Sequence, residues 1–148
     1  MHARWIAGLS LFCLVFVCLL PQAHAQNDIH ALCYEDCGKS TNSTPGYEQC
    51  VARAADKADA ALNKAYAELQ AAIRADGEDM RQKPTVQLDY LKAAQKQWIT
   101  YRNANCTLES SLAFGGTGMG ADEFSCRCAL SYQRIDDFTR MRKDVMGE

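Results

Sequence analysis

The chain has 148 residues, 48% of them apolar and 23% charged, with 16 basic against 18 acidic side chains and a formal charge of -2. A chain this short forms one domain; its charge balance excludes the basic footprint of a nucleic-acid binder, and its apolar share excludes disorder of the whole. Eight cysteines are more than a cytosolic domain of this size ordinarily carries.

Residues 1–25 read as a secretory signal peptide. Arg4 stands in a short polar start, an apolar run extends from Trp5 to Leu20, Pro21 breaks it, and Ala23, His24 and Ala25 supply an A-x-A cleavage signal. The run is about 16 residues, short for a bilayer crossing. Bulky residues precede Cys13 and Cys18, where a lipidation site wants small ones. Cleavage near Ala25 leaves residues 26–148 as a single helical domain, placed in the periplasm or secreted. Arg4 is lost, so the formal charge becomes -3, and His30 is the one histidine left.

Residues 26–44 are short, polar and cysteine-bearing, and read as an extended arm with one helical turn. Thr44 and Pro45 then look like a helix start, with a hydroxyl cap and proline in the first position. Val51, Ala54, Ala58, Leu62, Ala65, Leu69 and Ile73 follow at steps of three and four, which defines one helix face. Asp76 and Gly77 mark the stop, and residues 77–83 a polar turn. Pro84 and Thr85 open a second helix, with the stripe Leu88, Leu91, Ala94, Trp98, Tyr101, Asn105, Leu108 and Leu112. The glycines at 115, 116, 118 and 120 break the chain, and Asp122 caps a third helix. Its inner face is Phe124, Cys128, Ser131, Ile135, Phe138, Arg142 and Val145, widened by Leu130 and Met141. The expectation is an all-α fold: an antiparallel bundle of three main helices plus a short N-terminal arm, cross-linked by disulfides.

The six cysteines beyond the leader, Cys33, Cys37, Cys50, Cys106, Cys126 and Cys128, read as three disulfides. Sequence alone leaves the connectivity open. On one helix, Cys126 and Cys128 lie about 200° apart and need partners on different sides. The ranking puts Cys37–Cys50, Cys106–Cys126 and Cys33–Cys128 first. A metal site is the weaker reading, because zinc ligands favour C-x2-4-C pairs, often with histidine. Neither C-x-x-C nor C-x-x-C-H occurs, and no metal or cofactor is expected.

Two blocks carry a resemblance. Residues 50–66, with Asp59, Leu62, Asn63 and Tyr66, and residues 91–106, with Gln95, Trp98, Tyr101, Arg102 and Cys106, resemble the LprI family of lysozyme-inhibitor-like domains. A third block, Cys126, Leu130, Arg134 and Phe138, is similar to that family's C-x3-L-x3-R-x3-L ending, with Phe in the last place. The likeness covers roughly residues 33–145. It implies an exported, helical, disulfide-bearing protein, some of whose relatives inhibit lysozyme. Cys33 and Cys128 look additional to the family's usual set.

The residues also have plainer readings. Trp98, Tyr101 and Tyr66 are expected to pack between the first two long helices. Arg102 and Arg134 are expected to pair with Asp59, Asp56 or Asp136, and Asn63 to bond a backbone or a facing side chain. The candidate for an inhibitory contact is the segment Phe114, Gly115, Gly116, Thr117, Gly118, Met119 and Gly120, whose glycines permit an adaptable backbone on a rigid scaffold. Nothing in the sequence assembles an enzyme: there is no serine or cysteine nucleophile motif. The resemblance implies as partner a lysozyme-like peptidoglycan hydrolase, bound so that its cleft is occluded. Alternatives are an immunity protein against a rival's cell-wall hydrolase and a small periplasmic ligand- or lipid-binding module. Neither nucleic acid nor stable membrane insertion after cleavage is expected.

Overall fold

The computed structural model describes residues 31–40, 43–76, 83–112, 116 and 118–148. The leader, His30 and residues 113–115 and 117 lie outside the described residues. A π-helical turn, Ala31–Glu35, runs into α1 (Asp36–Ser40), followed by α2 (Thr44–Ala75), α3 (Pro84–Ser111) and α4 (Met119–Met146). No strand occurs among the described residues, and none of their helices is long and apolar enough to cross a membrane. The all-α bundle of three main helices is the observed architecture. The arm is helical over residues 31–40, more than the one helical turn expected in an otherwise extended arm. Two disulfides hold it, so this short stretch does not have to sustain a helix by itself.

Helix α2 begins one residue earlier than the sequence reading implied. Its cap is Ser43, whose Oγ accepts from the Gly46 backbone N–H at 3.2 Å, and Thr44 is already helical. Ser43→Ala should therefore cost about 1 kcal/mol. Thr44→Ala should be neutral or slightly stabilising, since alanine is the better helix former. Urea unfolding of the two variants separates the roles. Helix α2 stops at Asp76, and α3 opens on Pro84, as their breakers predict. Helix α4 starts at Met119 with Gly118 as its cap, so Asp122 sits in the first turn and is not the cap.

Helix α4 packs most extensively on α2 and less on α3, while α2 and α3 touch sparingly. Ser131 bonds Asp59, Phe138 stacks on Tyr66 and Gly120 abuts Glu48, each pair 72 positions apart. Helices α2 and α4 are therefore parallel. Helix α3 runs against both: Leu91 near its start joins Leu69 and Ile73 near the end of α2. At its other end, Cys106 is bonded to Cys126 near the start of α4.

The interior has two apolar halves. In one, Leu62, Leu69, Ile73, Leu91 and Phe138 form a core flanked by Tyr66, Trp98, Ile135, Met141 and Val145. Each such side chain contributes roughly 1.5–3 kcal/mol by leaving water. The other half is built from small residues, Ala55 and Ala58 with Cys33 and Cys128, edged by Tyr34, Phe124 and Tyr132. Small side chains remove less surface from water, and it is this half that the disulfides staple. They join Cys33–Cys128, Cys37–Cys50 and Cys106–Cys126, the three pairs that the sequence ranking put first. Beside them, partial burial, reinforced by Tyr34 and Asp122, raises the Tyr47 hydroxyl above the usual tyrosine range.

The stripe expected on α3 packs only in part: Leu91 is buried and Leu88 and Trp98 lie against the core, but the rest of it does not face inward. The buried residues are Leu91, Gln95, Arg102, Cys106 and Ser110, whereas Ala94, Tyr101, Leu108 and Leu112 are exposed. Tyr101 thus leaves the interior, about 100° around the helix from Arg102. The reason is that α3 is held in rotation by bonds rather than by its apolar content. The Cys106–Cys126 disulfide and the Arg102–Asp59 ion pair turn a partly polar face inward.

Candidate functional site

The family-like residues converge on a polar layer between the two apolar halves. Asp59 comes from α2, Arg102 from α3, and Arg127 and Ser131 from α4. Arg102 Nη1 donates to Asp59 Oδ1 and, at 2.7 Å, to Ser131 Oγ. Ser131 Oγ in turn donates to Asp59 Oδ1 at 3.0 Å, and Arg127 Nη2 approaches Asp59 Oδ2 at 3.5 Å. Both carboxylate oxygens are thus engaged. Such charge-assisted bonds are the strong kind, and a side chain 5% exposed like Arg102 requires them.

Trp98 continues the layer. The Arg102 guanidinium lies 5.2 Å from its ring centroid and that of Arg134 at 5.7 Å. Arg134 also stands 4.6 Å from the Phe138 ring, donates from Nε to Gln95 Oε1 at 3.3 Å, and pairs with Asp137 at 3.3 Å. Planar, weakly hydrated guanidinium groups suit such aromatic stacking.

The ion pairs differ in part from those expected. Arg102 does meet Asp59, but Arg134 pairs with Asp137 and not with Asp136, and Asp56 is exposed. On a helix, positions 134 and 137 face one another while 134 and 136 do not, a signal that spacing alone contained. Arg127 and the hydroxyl of Ser131 are partners that sequence reasoning missed. Nothing local marks a serine on an inner face as a bridge between two charges.

Leu62 belongs to the larger core, and Tyr66 packs on Phe138 with ring centroids 5.7 Å apart. Tyr66 and Trp98 thus pack into a core that α2, α3 and α4 share, and Trp98 also meets Arg134 of α4. Asn63 is exposed, and no hydrogen bond is formed by it among the described residues. With Tyr66, Gln95, Lys92 and Lys96 it lines an open groove of about 390 Å³ between α2 and α3.

The polar layer has the character of a structural clamp. Asp59 is committed to two arginines and a serine. Among the described residues no group of histidine, cysteine and carboxylate side chains could hold a metal ion.

The segment singled out at 114–120 lies where α3 hands over to α4. Of it, Gly116 and residues 118–120 are described. Gly116 and Met119 are exposed, as is Leu112 just before. Met119 and Gly120 are helical rather than part of a free loop, and a side chain at Gly120 would press on Glu48. Gly118 has an ordinary φ of -94° and open surroundings, so other residues fit there. The Cys106–Cys126 disulfide ties the two helices behind this tip.

The family model described as "Lysozyme inhibitor LprI" matches residues 33–138. No curated protein and no solved structure matches the chain.

Proposed function

The chain belongs to the LprI lysozyme-inhibitor family, and on that footing we propose that it is exported, loses its leader near Ala25, and blocks the glycan cleft of a lysozyme-like peptidoglycan hydrolase. The family is one of inhibitors and not of enzymes. The observation that carries the reading is the match over residues 33–138, which takes in α2, α3, the first 20 residues of α4 and the polar layer.

Glycosidases of this kind act through two carboxyl groups flanking the scissile bond. An inhibitor need only deny the sugar its place between them. The α3–α4 tip, residues 114–120, is the part we assign to that task. Exposed Met119 offers apolar contact there, and the clamp and disulfide behind it keep the scaffold rigid, which lowers the entropic cost of binding. A formal charge of -3 after cleavage favours encounter with cationic enzymes.

The test is clearance of peptidoglycan suspensions by a panel of lysozymes, with the disulfide-bonded protein titrated in. Stoichiometric inhibition of at least one enzyme is expected. Gly118→Arg combined with Met119→Asp should weaken it at least tenfold while leaving the circular dichroism unchanged. No inhibition of any enzyme by correctly folded protein overturns the inhibitor reading. Inhibition that the double variant leaves intact moves the contact away from the tip.

A further inference from the structure

The outward face of α3 carries a line of side chains that the bundle leaves uncovered. Tyr90, Tyr101, Leu108 and Leu112 are 67%, 57%, 59% and 61% exposed. Ala94 and Gln97, also exposed, and the half-buried Asn105 complete the line. Asp89, Lys92 and Lys96 project from other sides of the helix, and Glu109 borders the line, where its carboxylate accepts from Asn105 Nδ2 at 2.9 Å. A solvated helix face ordinarily carries charge, and large apolar side chains aligned without it mark an interaction surface.

The spacing of the line is symmetric about Tyr101. Tyr90 and Leu112 stand equally far from it on either side, as do Ala94 and Leu108, and Gln97 and Asn105. Laid antiparallel against a copy of itself, the face therefore meets its own complement. Tyr90 faces Leu112, small Ala94 faces large Leu108, the Gln97 amide faces the Asn105 amide, and Tyr101 faces Tyr101 across the axis. A two-fold interface needs this self-complementarity.

We propose that this protein forms a two-fold dimer through antiparallel pairing of α3 about Tyr101. The line from Tyr90 to Leu112 is about 33 Å long, and pairing along it buries on the order of 1,000 Å² in total, the low end for a specific interface. The dimer accordingly dissociates in the micromolar range. The inference stands apart from the identity of the hydrolase.

Sedimentation equilibrium of the disulfide-bonded protein across the micromolar range reads the dimer directly. On the axis a residue meets itself, so Tyr101→Lys and Tyr101→Glu each bring like charges together and should each weaken self-association at least tenfold. Mixing the two variants in equal amounts should restore the dimer as a heterodimer. Tyr101 is exposed, so both variants should keep the parent's circular dichroism and thermal midpoint. A parent that stays monomeric up to the highest concentrations overturns the proposal. So does dimerisation that survives in both variants, or a mixture that remains monomeric. A monomeric parent whose lysozyme inhibition is lost in Tyr101→Lys would assign the face to the hydrolase instead.

Discussion

Replacing Cys33 and Cys128 together by alanine should remove about 4 kcal/mol of stability, the largest single loss expected in this protein. The two residues are 95 apart in the chain, against 13 for Cys37–Cys50 and 20 for Cys106–Cys126. In the chain-entropy account a bridge restrains the unfolded chain more when it closes a longer loop. The two shorter bridges lie inside this loop and shorten it, yet it still exceeds theirs, for which about 3 kcal/mol each is expected. The native state loses contacts as well. Both sulfurs are buried among Ala55 and Ala58, and the bridge holds Tyr34 where its hydroxyl donates to Ser125. Without it the N-terminal turn keeps only Cys37–Cys50 as a covalent tether. Urea unfolding of the alanine pair against the parent checks this. A loss no greater than that of the Cys37–Cys50 pair would contradict the loop-length argument.

Asp59→Ala should cost about 3 kcal/mol. The substitution strips Arg102, whose side chain is only 6% exposed, of its one carboxylate partner, and leaves Arg127 close by with the same charge. Burying an unpaired guanidinium is what makes breaking such a pair expensive. Asp59 itself keeps 32% of its side chain in solvent, so water relieves part of the penalty, and the low end of the range applies. Adding Arg102→Met to Asp59→Ala removes the stranded charge and should recover a substantial part of the loss. A double-mutant cycle on the two positions measures their coupling. If Asp59→Ala and Arg102→Met simply add, the pair does not act as a unit.

These two expectations concern the same design. The half of the bundle rich in alanine and cysteine has few large side chains to bury, and covalent bonds offset that. The polar layer next to it sets how far each helix is advanced along its neighbour, since Asp59, Arg102 and Ser131 can meet in one register only. Of the residues that resemble the family, Asp59 and Arg102 belong to this clamp, and Gln95, Trp98 and Arg134 continue it. Asp59, Arg102 and Arg134 each bond a side chain of another helix, which is what fixes the register.

The sequence by itself determined the class of fold, the ends of α2 and α3 to within a residue, and the cysteines available for pairing. These follow from short-range physics: the apolar spacing of α2, the proline at 84, the stop at Asp76, and the opposed directions of Cys126 and Cys128 on one helix. Tertiary structure alone decided the rotation of α3. Its most apolar line, through Tyr101 and Leu108, faces outward, while Gln95, Arg102 and Cys106 face in. Apolar periodicity measures how much free energy a helix face gains in a generic interior. It is blind to a disulfide to Cys126 and to an ion pair with Asp59, which come from distant parts of the chain and outweigh it. The polar layer was hidden for the same reason: Ser131 and Arg127 acquire their roles only when α4 lies beside α2, and no window of local sequence contains both helices.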